Sequence, residues 1–114
     1  MPVEKMKESQ YAPQLALRQA QGLTTLGLMT NRVWHDDPRR LLFVLARYKF
    51  VSKMLSGKKR VLEVGCGDAF GTRLVLQTTR KVHAVDFDPL FINWARAEYK
   101  KENLDITFQD IDIT

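Results

Sequence analysis

The stretch Arg60-Val-Leu-Glu-Val-Gly-Cys-Gly-Asp-Ala-Phe-Gly-Thr72 constrains the fold more than any other part of the chain. Val61, Leu62 and Val64 form a short apolar run that ends at glycine, which predicts a buried strand of a parallel sheet. Gly65, Gly67 and Gly71 predict a turn, and a helix opens near Thr72. Glycine adopts backbone angles closed to other residues and lets the main chain approach a ligand.

The next strand narrows the possibilities. Lys81-Val-His-Ala-Val-Asp86 ends in an acid 19 positions after Gly67. Strand, glycine turn, helix and an acid at about that distance form the pattern of a nucleotide-binding βαβ unit. An ionised carboxylate only accepts hydrogen bonds, so it suits the two hydroxyls of a ribose. A dinucleotide fingerprint would have glycine at position 70, where this chain has Phe70. That ring crowds a pyrophosphate resting on the helix N-terminus. Glu63, two residues before Gly65, is also a poor neighbour for phosphate.

Val61-Leu-Glu-Val-Gly-Cys-Gly67 resembles motif I of the class I S-adenosylmethionine (SAM)-dependent methyltransferases, and Ala84-Val-Asp-Phe-Asp-Pro89 resembles the motif that follows. The resemblance covers roughly 60–114, the N-terminal portion of such an enzyme. The third motif glycine falls on Ala69, so the turn is expected to avoid positive φ there. The resemblance implies an α/β, Rossmann-like parallel sheet in strand order 3-2-1, preceded by N-terminal helices. The remaining strands of the seven-stranded sheet are absent from these 114 residues. Strand one would then be an open edge, which invites pairing with a second copy or a partner chain. A fragment of a longer enzyme and a naturally short product both agree with this.

Two regions are expected, 1–56 as a helical cap and 57–114 as the SAM-binding half-domain. In the first, residues 1–10 are expected to be frayed. Gln14 to Met29 reads as a weak helix or two short turns, interrupted by Gly22 and Gly27. Thr30 to Asp37 reads as a connector carrying Trp34 and His35. Asp37 and Pro38 then start a helix with a broad apolar stripe from Leu41 to Leu55, stopped at Gly57. In the second region, Arg73–Thr79 continues a helix, Asp88-Pro89 caps another that runs to about Glu102, and Asp105–Asp110 alternates like an edge strand.

The resemblance assigns roles residue by residue. Gly65 and Gly67 would line the methionine and ribose portion of SAM. Asp86 would take the ribose, and Phe87 would pack on the adenine face. Asp110 would accept from the adenine amine. Glu63 would face the amino-acid end. Arg47 or Tyr48 on the preceding helix would hold the methionine carboxylate, for which an arginine fork is well shaped. The bland alternatives are a strand-end salt bridge for Glu63, solvent for Arg47 and Asp110, and plain packing for Tyr48 and Phe87. Cys66 has no base placed beside it by sequence and reads as a small turn residue. His83 reads as an ordinary hydrogen-bonded strand residue. The single cysteine and two histidines lack metal-ligand spacing.

Charge is uneven. Residues 1–60 hold 12 Lys and Arg against 4 Asp and Glu, and residues 61–114 hold 6 against 9. A basic first half could meet an anionic substrate or nucleic acid, but the favoured reading is a solvated helical surface plus the Lys58-Lys59-Arg60 turn. No aromatic–basic interleaving typical of nucleic-acid surfaces is evident, so the expected methyl acceptor is a small molecule. One cysteine excludes an internal disulfide, and no run approaches a membrane span, so a cytoplasmic location is expected. The expected activity is SAM-dependent methyl transfer, with no catalytic base assigned. The rivals are a nicotinamide-binding oxidoreductase half-domain and a non-catalytic module that binds a partner through the strand-one edge.

Overall fold

A computed structural model describes residues 5–112 of the chain, so the first four positions of the expected frayed end and residues 113–114 lie outside the described residues. After a 3-10 turn at Ser9–Tyr11 come three helices, Ala12–Gln21 (α1), Leu28–Asp36 (α2) and Pro38–Met54 (α3). Strand and helix then alternate through Val61–Val64 (β1), Thr72–Leu76 (α4), Val82–Asp86 (β2), Pro89–Tyr99 (α5) and Ile106–Asp110 (β3).

The helix starts follow from local chemistry. Asp37 accepts the Arg39 N–H at 3.2 Å, and Asp88 accepts the Leu90 N–H at 2.9 Å. Each is followed by proline at the first helical position, where no N–H is needed. Such a cap contributes about 1 kcal/mol.

Helix α2 departs from the sequence expectation. The stretch read as a connector is helical, because Asp68, 38 positions away, accepts both the N–H and the hydroxyl of Thr30 at 2.9 Å. The α2 N-terminus is therefore satisfied by a residue of the glycine turn, far away in sequence.

The strands pair in parallel in the order β1-β2-β3, with Val61 opposite Val82 and Val82 opposite Ile106. Each crossover runs through a helix, as parallel pairing requires. The core lies on one face of the sheet. Ala84 and Phe108 meet Ile92 and Ala95 of α5, and Cys66 and Ala69 join the same cluster. Ile92 is fully buried, which stabilises by about 2 kcal/mol. Because two residues of the glycine turn belong to the core, packing holds that turn in place.

The register puts Leu62 and Val64 on the opposite face, beside His83 and Val85. Leu62 is 61% and Val64 55% exposed, so β1 is not the buried strand its composition suggested. It is the open edge expected from the 3-2-1 order. Ala69 also corrects an expectation. It adopts φ 60, the left-handed region, at a cost of about 1–2 kcal/mol. Its surroundings hold it there: its N–H donates to the Cys66 carbonyl at 2.9 Å, and its carbonyl accepts the Tyr99 hydroxyl at 2.7 Å.

Candidate cofactor site

The site is built at the C-terminal ends of the strands, where open α/β sheets bind ligands. Gly65 and Gly67 take φ 76 and 57, which turn the chain sharply off β1. The N–H groups of Gly65 and Cys66 both donate to the Val85 carbonyl, at 2.8 and 3.0 Å. Asp86 completes the fastening. Its Oδ2 accepts the Gly67 N–H at 2.8 Å, and its Oδ1 accepts the Asp88 N–H at 3.1 Å. A carboxylate offers about four lone-pair positions, so two remain for a ligand.

A cavity of about 350 Å³ opens beside Asp86, between Val64, Gly65, Val85, Phe87 and Ile111. Phe87 is 76% exposed and leaves its ring free at this cavity's edge. Nothing lies within 4 Å of where a Gly65 side chain would be, so the turn presents bare backbone to open space. Asp110 lies in register with Asp86 and is exposed. The Ile111 N–H donates to the Asp86 carbonyl at 2.9 Å.

A second cavity of about 290 Å³ lies on the other side of Gly65, roofed by α2 and α3. Met29, Thr30, Arg47 and Tyr48 face the glycine turn across it. Arg47 is exposed on this rim. The Tyr48 hydroxyl donates to Glu63 Oε2 at 3.0 Å, and the Thr72 hydroxyl donates to Glu63 Oε1 at 2.7 Å. Burial raises the Glu63 pKa above its ordinary value, and the Thr72 and Tyr48 hydrogen bonds partly offset that. Burial and the adjacent Glu63 carboxylate push the Tyr48 phenol up as well, which keeps it a donor. The Cys66 thiol is pushed up to about 12 by burial and by the Glu63 and Asp86 carboxylates. It is 5% exposed and packs in the core.

The structure thus brings Gly65, Asp86 and Phe87 to one cavity, with Gly65, Gly67, Arg47 and Tyr48 around the other. Glu63 is tied to Tyr48 and Thr72 and makes no salt bridge among the described residues. Sequence reasoning missed Asp68. It is 5% exposed and caps α2 through Thr30, while its other oxygen accepts the Phe70 N–H at 3.1 Å. Its partner signal was Gly27, where a Cβ would fall 2.3 Å from the Asp68 carboxyl.

The residues present fit an adenosyl cofactor: an acid with spare acceptor capacity, a free aromatic ring, and a turn stripped of side chains. Residues 61–114 match the family described as a methyltransferase domain. The fold is similar to the N-methyltransferase NodS from Bradyrhizobium japonicum, at 20% identity and TM-score 0.56, over 68% of this chain and 43% of that one. It is also similar to the Trypanosoma brucei PRMT1 enzyme–prozyme complex, at 25% identity and TM-score 0.57, over 76% of this chain and 26% of that one. A third is M. capricolum TrmK, solved with S-adenosyl-homocysteine, at 21% identity and TM-score 0.51, over 58% of this chain and 31% of that one. The chain therefore spans less than half the length of each. No curated protein matches it. Residues 61–114 thus match a methyltransferase-domain family, and the chain has the Rossmann-like fold of these solved methyltransferases.

Proposed function

We propose that this chain is the SAM-binding half of a methyltransferase that acts on a small-molecule acceptor, with residues 1–56 as a helical cap and 57–114 as the cofactor half-domain. The carrying observation is the Asp86 carboxylate, fixed to Gly67 at 2.8 Å beside an open cavity and an exposed Phe87 ring. Asp86 takes the ribose hydroxyls on its remaining lone pairs. Phe87 packs on the adenine, and Asp110 receives the adenine amine at the end of β3. Arg47 holds the methionine carboxylate from the rim of the second cavity. Tyr48 and Glu63 act one step back, through the shape of the turn. The bound SAM supplies an already activated methyl group. The task of this chain's own residues is then to hold that methyl donor in a fixed geometry.

Calorimetric titration with SAM and S-adenosylhomocysteine tests the cofactor reading. Binding that is lost in Asp86→Asn is the expected result, and equal affinity in that variant overturns the assignment. Transfer of labelled methyl to small amines or hydroxyl compounds, and not to RNA or protein, tests the acceptor.

A second reading has one observation in its favour. Leu62 and Val64 expose an apolar β1 edge, which suits strand addition by another chain. Sizing by light scattering separates it, since that reading requires a complex.

A further inference from the structure

Helix α3 carries two unlike faces. Leu41, Val44, Leu45, Tyr48 and Ser52 are half-buried or buried and turn toward the domain. The opposite face is exposed and apolar along its crest, with Phe43 at 68%, Phe50 at 64% and Met54 at 66% exposure. Phe43 and Phe50 are seven residues apart, about 10 Å along one side of the helix. Cations flank the crest, with Arg40 and Arg47 on one side and Lys49 and Lys53 on the other. These four make no ion pair with the described residues, and α3 contains no acid. Lys58, Lys59 and Arg60 follow directly. This corrects the expectation that aromatic and basic residues do not interleave, since Arg47-Tyr-Lys-Phe50 carries that pattern in the sequence itself.

Beside the crest lies an open groove lined by Val33, Phe43, Val44 and Phe50, with Arg40 and Arg47 at its rim. An exposed apolar patch rimmed by charge marks an interaction surface. The chemistry that matches it has an apolar interior and a negative outer layer. A straight helical crest meets a plane along its whole length, whereas single-stranded nucleic acid is bound in a charged channel.

We propose that the outward face of α3 docks the protein on an anionic lipid bilayer. Phe43, Phe50 and Met54 enter the headgroup boundary, and the flanking cations stand at the level of the phosphates. This is peripheral attachment. Among the described residues no helix is long and apolar enough to cross a membrane. Arg47 also borders the proposed cofactor site, so the test rests on Lys49, Lys53, Phe43 and Phe50, which do not.

The test is co-sedimentation of the chain with vesicles of phosphatidylcholine alone and of phosphatidylcholine with roughly a third phosphatidylserine. Binding to the anionic vesicles only, weakened by salt, is the expected result. Lys49→Gln with Lys53→Gln should lower the partition coefficient about 25-fold, at about five-fold per cation. Phe43→Ser with Phe50→Ser should lower it strongly while leaving thermal unfolding in place, because both rings are exposed. Equal binding to neutral vesicles, no binding to either, or full binding by either double variant overturns the proposal. So does tighter binding of a thymidine oligonucleotide that is lost with the two phenylalanines, which would assign the face to nucleic acid.

Discussion

Asp86 and Gly67 are joined by a 2.8 Å hydrogen bond from the glycine N–H to Oδ2 of the acid. The bond links the end of β2 to the turn after β1, so the residue proposed to hold the ribose also shapes the loop that surrounds it. Binding and folding are therefore coupled at this carboxylate. Asp86→Ala would strand the N–H groups of Gly67 and Asp88, each a loss of about 1–3 kcal/mol. We expect about 2–4 kcal/mol of destabilisation by urea unfolding. A change under 0.5 kcal/mol, roughly the noise of surface substitutions, would refute this structural role.

Glu63 gives a pH signature. Its pKa is raised in the folded state, chiefly by burial, from an ordinary value of 4.5. The folded state therefore binds this proton more tightly than the unfolded chain does. Its stabilising contribution is complete below about pH 4.5 and is lost as pH rises through the folded value. Glu63→Gln keeps an acceptor for Tyr48 and Thr72 without the charge. The variant should be more stable than the parent at neutral pH, and its stability should fall less as pH rises above 4.5. Parallel stability–pH curves for parent and variant would show that Glu63 is not the source.

Cys66 should be chemically silent. Its thiol is 5% exposed and pushed up to about 12, so almost no thiolate exists near neutrality. Ellman's reagent near pH 8 should react only as fast as the protein opens, and immediately in denaturant. Rapid reaction of the folded chain would contradict the packing of the turn.

Gly71 is required by close approach. A Cβ there would fall 2.2 Å from a carbon of the Tyr48 ring. Gly71→Ala should cost at least about 2 kcal/mol through overpacking. In a Tyr48→Ala background the same substitution should cost under about 1 kcal/mol, since the contact is gone. Additive losses in the double-mutant cycle would mean that the clash lies elsewhere.

Much of this molecule was legible in the residues themselves. Local chemistry dictates the Asp37-Pro38 and Asp88-Pro89 helix starts, and each formed because cap and proline act within one turn. The strand, glycine turn and distant acid specified the parallel sheet and its order, because few arrangements join those elements. Three features depended on residues that meet only in space. Helix α2 exists as drawn because Asp68 satisfies Thr30 from 38 positions away. Ala69 holds a left-handed backbone because Tyr99 and the core grip it on both sides. Glu63, which the resemblance set at the amino-acid end of the cofactor, is engaged by two hydroxyls, one from α3 and one from α4. Propensity and periodicity act over a few residues, so they determine elements and their succession. Hydrogen bonds and packing between distant segments decide which strained or uncapped conformations persist, and that information belongs to the tertiary structure alone.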